Sequence, residues 1–381
     1  MIYADNASTT KISELAFAQM LPHLQEQYGN ASSQYSLGVK ARRAVIQARR
    51  QVADAIGAQP SEIVFTSGGS EGNSWVLQGI SALYSQEPIH IITTAIEHHS
   101  VLNACRFLEK RGIAVTYLPV DNNGYISTAD IKSALRSETK LVSIMLANNE
   151  IGTIQPISEI GAFLRERNIL FHTDAVQAVG HIPISIEDMN IDFLTASAHK
   201  FYGTKGTGFV YIHSGIKLPQ MVFGGEQEYG NRAGTENVAG IVALGYALEE
   251  SVVHMSKEKE SVSNLAQTTI DNLKDLIPGI QINAEKARRL PGILNISFPD
   301  VSGEAIMNLL DLKGICISTS SACNSGKDEP SHVLLALGLT EQQSKSTIRI
   351  SYGRYNTLRE VDIISKAISD AYNNIRRARQ C

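Results

Sequence analysis

The feature that most restricts the fold is an alternation that runs from about residue 62 to residue 212. Apolar runs of four to six residues at 62–66, 89–93, 114–118, 141–146, 169–172, 193–196 and 208–212 are separated, in many cases, by segments with helical spacing at 71–83, 100–111, 128–135 and 158–167. Runs so short read as strands, and the amphipathic segments between them are long enough to be the crossovers that parallel strands require. The chain therefore reads as an α/β protein with a mainly parallel sheet, and such open sheets collect ligands beyond the carboxyl ends of their strands.

The flanks are organised differently. A polar arm, Asp5-Asn6-Ala7-Ser8-Thr9-Thr10, precedes an amphipathic segment at 13–27, and a second helix is expected over 38–56 with its arginines on the wet face. A long helical stretch at 236–276 spans the charged run Ser256-Lys257-Glu258-Lys259-Glu260 and should bridge two domains. Beyond it, strands at 281–283, 292–297, 314–318 and 347–351 interleave with helices at 303–310, 331–337 and 358–375, an α+β pattern. The expected division is a large domain over 12–256 and a smaller α+β domain built from 1–11 and 257–381.

Composition excludes several classes. With 43% hydrophobic and 19% charged residues in a chain of 381, a large core can form and disorder is not expected. A net charge of −4 offers no global attraction to nucleic acid, and Arg376-Arg377-Ala378-Arg379 reads as the solvated end of a helix. The opening Met1-Ile2-Tyr3-Ala4-Asp5 has no charged-then-apolar leader and no run of about 18 apolar residues occurs, so a cytoplasmic protein away from membranes is expected. Cysteines at 105, 316, 323 and 381 have neither disulfide density nor paired metal spacing, so reduced thiols are expected.

Candidate chemistry falls just after the strands. Gly68-Gly69-Ser70 opens a helix after 62–66, and is either a glycine turn capped by Ser70 or a site for one phosphate, since the lysine of a nucleotide loop is missing. His98 and His99 follow 89–93. Adjacent histidines point to different sides, which favours one ring-stacking or acid–base histidine over a metal pair. Asn149 follows 141–146. Asp174 follows 169–172, and is either a helix cap or the carboxylate that keeps a pyridine nitrogen protonated. Lys200, in Ser197-Ala198-His199-Lys200, is either a solvated loop lysine or a Schiff-base lysine for pyridoxal phosphate. One sheet edge would gather them all. Farther on, Cys323 sits among small polar residues in Ser321-Ala322-Cys323-Asn324-Ser325-Gly326, where a thiol is exposed and reactive, whereas Cys316 lies in an apolar run and should be buried and inert. Arg349, on a strand, could form a structural ion pair or hold a substrate carboxylate in bidentate fashion.

Together these motifs resemble the cysteine desulfurases of the NifS/IscS type, within the class V aminotransferase-like group of pyridoxal-phosphate enzymes. The resemblance runs over essentially the whole chain, through Asp5 to Thr10, Tyr28-Gly29-Asn30, Thr66 to Glu71, Glu97-His98-His99, Asn148 to Gly152, Asp174 to Gln177, Ser197 to Lys200, Arg232 to Asn237, Ser321-Ala322-Cys323 and Ser346 to Arg349. It implies a fold type I large domain and pyridoxal 5'-phosphate as cofactor. It casts Lys200 as the Schiff-base lysine, His98 as the ring-stacking histidine that also moves protons, and Asp174 as the partner of the ring nitrogen. Gln177 and Asn149 would touch the phenolic oxygen and substrate. Gly69, Ser70, Ser197 and His199 would hold the phosphate, joined by Thr235 from the second subunit of a homodimer. Arg349 would bind the carboxylate of L-cysteine, and Cys323 would accept its sulfur as a persulfide before passing it to an acceptor protein serving iron–sulfur assembly or tRNA or DNA sulfur modification. Two departures stand out: Gly224-Gly225-Glu226-Gln227-Glu228 where the family commonly has a third glycine, and Ser70 where threonine is frequent. The alternatives are a selenocysteine lyase or another class V enzyme, and, from a different class, a non-catalytic sulfur-transfer scaffold.

Overall fold

The computed structural model describes residues 1–319 and 329–380. The chain opens with a short strand, β1 (Ile2–Tyr3). The central sheet holds β2 (Ile63–Thr66), β3 (His90–Thr94), β4 (Ala114–Leu118), β5 (Thr139–Ser143), β6 (Leu170–Asp174), β7 (Phe193–Ser197) and β8 (Gly208–Ile212). Their order across the sheet is β2-β8-β7-β6-β5-β3-β4. Only β8 runs against the rest, pairing antiparallel with both β2 and β7, while β7, β6, β5, β3 and β4 pair in parallel. This agrees with the mainly parallel sheet expected from the alternation, and the strand ends lie close to the expected ones. Because β4 lies outside β3 and the chain then returns to place β5 on the other side of β3, a topological switch point opens between the carboxyl ends of β3 and β5.

Strands β2, β3, β6, β7 and β8 are almost wholly buried. Helices pack on both faces of the sheet, so these strands read as continuous rather than alternating apolar runs. One core joins Ile92, Val142, Phe171, Leu194 and Phe209 to the helices Ser36–Ile56 and Val238–Leu276 through Val52, Ile56, Ile241 and Leu244. The 39-residue helix Val238–Leu276 has the length and composition of a membrane span, but 61% of its most apolar window is buried inside the protein, as in a core helix. Its second half enters another core, in which Val262, Leu265 and Ile270 meet Ala4, Ile296, Ile348, Ile350, Ile364 and Tyr372.

That second core underlies β9 (Gln281–Ile282), β10 (Ile293–Ser297), β11 (Ile315–Cys316), β12 (Ser318–Thr319) and β13 (Thr347–Ser351). The single strand expected at 314–318 is in fact two pieces serving different sheets. β11 pairs in parallel with β1, whereas β12 pairs antiparallel with β13. Cys316 is partly exposed rather than fully buried, because its two-residue strand has only β1 beside it.

The arginines of Ser36–Ile56 are not all on its wet face. Arg49 is 4% exposed and forms a two-point ion pair with Glu228, both contacts at 2.7 Å, while also donating to the Ile63 carbonyl. Glu228 in turn accepts from the Phe65 amide at 2.8 Å. Its φ of 51° and the 57° of Tyr229 lie in the left-handed region that non-glycine residues seldom adopt, and the buried pair holds the loop there.

Candidate active site

The carboxyl edge of the sheet surrounds a cavity of about 310 Å³ whose lining includes Gly69, Ser70, His98, Asn149, Asp174, Gln177, Ser197, His199, Lys200 and Arg349. These are ten of the residues singled out in the sequence. Thr235 is exposed and does not line this cavity. Cys323 lies outside the described residues.

The anion cradle is made by backbone. The helix Gly69–Leu83 has Gly68 at its N-cap, which has no side chain to satisfy the first-turn N–H groups, and Ser70 sits within the first turn rather than capping it. Gly68 has φ 147° and ψ −173°, a region open to glycine alone. A Cβ on Gly69 would stand 2.6 Å from a Val176 methyl, so the backbone approaches the cavity wall as closely as it can.

Asp174 ends β6 and is 5% exposed. It accepts from Asn73 Nδ2 at 2.6 Å and from the Val176 amide at 3.0 Å. Asn73 Nδ2 also donates to Ser100 Oγ at 2.8 Å, and Ser100 Oγ lies 2.8 Å from His98 Nδ1, which accepts from the Ser100 amide at 3.1 Å as well. The Ser100 amide hydrogen directed at Nδ1 requires a lone pair on that nitrogen. Nδ1 is then an acceptor and the ring proton sits on Nε2. Burial holds the His98 pKa below its usual value and the positive charge of Lys200 adds to this, against the pull of Asp174, so the ring is neutral at pH 7. Sequence reasoning missed Asn73 and Ser100. The sign of Asn73 was a polar residue at a core position of a helix, 1% exposed in the structure.

Lys200 Nζ donates to the carbonyls of Ala7 at 2.5 Å and Ser8 at 2.7 Å. Gln177 Nε2 donates to the same Ala7 carbonyl at 2.9 Å. His199 Nδ1 lies 3.1 Å from Thr9 Oγ1, and burial lowers its pKa to about 4. The N-terminal arm is thus part of the site, which its polar sequence did not announce. Arg349, 3% exposed, donates from Nη1 to the Asn149 carbonyl at 3.0 Å and from Nη2 to Asp5 Oδ1 at 2.8 Å and Ser8 Oγ at 2.7 Å.

Behind His98, the fully buried Glu97 accepts from Thr94 Oγ1 at 2.8 Å and the Met145 amide at 2.9 Å. Burial pushes its carboxyl from 4.5 up to about 8. Between those values the folded chain keeps a proton that the unfolded chain releases. Stability is therefore fully present below about 4.5 and is lost as pH rises through the folded value. Glu97→Gln copies the protonated acid and is expected to flatten that loss, with Tm close to wild type at pH 5 and above it at pH 8. A Tm difference that does not change with pH would reject this assignment. C-terminal to the Cys323 stretch, the His332 ring donates to the Glu97 carbonyl at 3.0 Å, and the Ser331 hydroxyl donates to Glu150 at 2.5 Å. These contacts hold Ser331 against Glu150 and His332 against Glu97, next in sequence to Asn149 and His98.

Residues 2–364 match the aminotransferase class-V family. The cysteine desulfurase IscS of Clostridium botulinum is 48% identical over 369 residues, which cover 96% of this chain and 93% of that protein. A solved NifS-like protein, 37% identical, superposes with a TM-score of 0.92 over 98% of this chain and 99% of its own. SspA in complex with cysteine, also 37% identical, gives 0.84 over 94% of this chain and all of its own.

The chain belongs to the class-V aminotransferase family of pyridoxal-phosphate enzymes. Within that family it stands with the cysteine desulfurases of the IscS and NifS type. The residues present fit the cofactor: an uncapped helix N-terminus for its phosphate, a buried aspartate for its ring nitrogen, a neutral histidine for its ring face and a lysine for its aldehyde carbon.

Proposed function

We propose that this protein removes sulfur from L-cysteine, releases L-alanine and carries the sulfur as a persulfide on Cys323 to an acceptor protein. The observation that supports this most is the presence of Arg349 and Lys200 on one cavity, joined through Ser8, which accepts from Arg349 with its hydroxyl and from Lys200 with its carbonyl. That pairing suits an α-amino acid, with a cation for its carboxylate beside the lysine that would hold the cofactor with which its amine reacts.

Bound pyridoxal phosphate supplies the electron sink for carbanion chemistry at Cα and Cβ of the amino acid. Asp174, held by Asn73 and the Val176 amide, would pair with the ring nitrogen. His98 presents Nε2–H, so it orients and donates, and removal of the α-proton falls to Lys200. The Cys323 thiolate attacks the substrate sulfur and forms an S–S bond as the C–S bond breaks. The electron pair of the C–S bond stays with carbon, which is protonated at Cβ and then at Cα to give alanine. The thiol is oxidised to persulfide while the carbon is reduced, so no outside oxidant is needed. Thr235 would reach the cofactor phosphate of a second copy in a homodimer. The acceptor is a protein, with no direct role for nucleic acid or membrane.

With sulfur-labelled L-cysteine, one alanine is expected to form per labelled sulfur, with the label on Cys323 before any acceptor is added. Alanine formed with no label on the protein would reject persulfide transfer. Preference for selenocysteine with negligible turnover of cysteine would favour a selenocysteine lyase.

A further inference from the structure

The hydrogen bonds around Arg349 assign roles to two residues of the N-terminal arm. A guanidinium has two faces that can grip a carboxylate at two points, Nε with Nη2 and Nη1 with Nη2, and both include Nη2. In this protein Nη2 already spends both of its hydrogens, one on Asp5 Oδ1 at 2.8 Å and one on Ser8 Oγ at 2.7 Å. One Nη1 hydrogen goes to the Asn149 carbonyl, and Nε is buried with no partner among the described residues. A two-point grip on a substrate carboxylate therefore requires one Nη2 partner to leave.

The two partners differ in strength and in place. Asp5 is a carboxylate, and its bond to Arg349 is charge-assisted, whereas Ser8 offers a neutral hydroxyl. Ser8 lines the cavity and Asp5 does not. The incoming carboxylate meets Ser8 first and displaces the weaker bond. We propose that Asp5 is a positioning residue that fixes the Arg349 guanidinium for substrate, and that the Ser8 hydroxyl fills the place the α-carboxylate takes. This rests on the reading of Arg349 as the carboxylate ligand.

The arm is held independently of the Asp5 side chain. The Tyr3 hydroxyl donates to the Thr9 carbonyl at 2.8 Å with the Asp5 carbonyl 3.0 Å away, the Asn6 amide donates to the Ser351 carbonyl at 3.0 Å, and the Ala7 amide donates to Ser351 Oγ at 2.9 Å. Removing the Asp5 carboxylate should leave the backbone of the arm in place, together with the Ala7 and Ser8 carbonyls that hold Lys200.

The test is steady-state kinetics on the cofactor-loaded enzyme with L-cysteine. Asp5→Ala is expected to raise KM about tenfold or more with kcat within about twofold, in line with loss of a charge-assisted bond. Asp5→Asn keeps an acceptor and should recover most of that loss, with the cofactor's visible absorption unchanged in both variants. Ser8→Ala should lower KM by about two- to fivefold, because a neutral hydrogen bond no longer has to be broken. Arg349→Lys serves as the control and must raise KM. If it does not, the carboxylate reading of Arg349 fails. If it does while Asp5→Ala leaves KM unchanged, or Asp5→Asn recovers nothing, the positioning role of Asp5 is overturned. An unchanged or raised KM in Ser8→Ala overturns the displaced hydroxyl.

Discussion

Changing Lys200 to alanine is expected to cut kcat for alanine formation by about 10³-fold or more, since it removes both the covalent anchor for the cofactor and the proton-transfer group. The site explains why no neighbour can substitute. His98 Nδ1 is occupied by the hydroxyl and amide of Ser100 and its other nitrogen carries the proton, while His199 faces Thr9. No second amine lines the cavity among the described residues. The fold should survive, because the Lys200 side chain bonds to backbone carbonyls of a separately anchored arm and does not fill a core. Single-turnover assays together with the visible spectrum of the loaded protein check this. Alanine formation within about tenfold of wild type would remove Lys200 from its role.

Cys323→Ala is expected to reduce alanine formation from L-cysteine by a comparable factor while leaving the cofactor spectrum and cysteine binding intact. The reason is chemical. Alanine forms only if the C–S electron pair stays on carbon, so a thiolate must take the sulfur, and neither other described cysteine is suited to this. Cys105 is buried with its pKa pushed up to about 12 by desolvation, which keeps it a thiol, and Cys316 lies on β11 and is not among the cavity-lining residues. Lys200→Ala and Cys323→Ala therefore fail differently. The first loses the response to cysteine, and the second binds cysteine and stalls with the sulfur still attached to carbon. An enzyme of the aminotransferase type would lose nothing on the Cys323 change, so full activity in that variant would reject desulfuration through a persulfide.

Much of this was legible in the chain because strand ends carry local signals. An apolar run followed by Gly68-Gly69-Ser70, His98, Asn149, Asp174 or Lys200 marks a place on an open sheet where side chains leave the core, and parallel connections put those places on one edge. Buried polar partners are harder to read. Asn73 and Ser100 look like ordinary helix residues, yet they link Asp174 to His98 and set which nitrogen of the ring holds the proton. Arg49 looks like one more solvated arginine, and only the return of the chain 179 residues later supplies the Glu228 that pairs with it.

By itself the sequence determined the element order, the mainly parallel sheet and the set of residues at its carboxyl edge, since these follow from hydrophobic period and turn chemistry acting over a few residues. Only the tertiary structure decided which groups hold those residues ready. Asp5 and Ser8 lie more than 300 residues from Arg349, and Ala7 lies 193 residues from Lys200. No local pattern encodes such contacts. They arise when β1 pairs with β11 and the arm behind it runs past β13, bringing backbone carbonyls and one carboxylate of the N-terminal arm to two cations far along the chain.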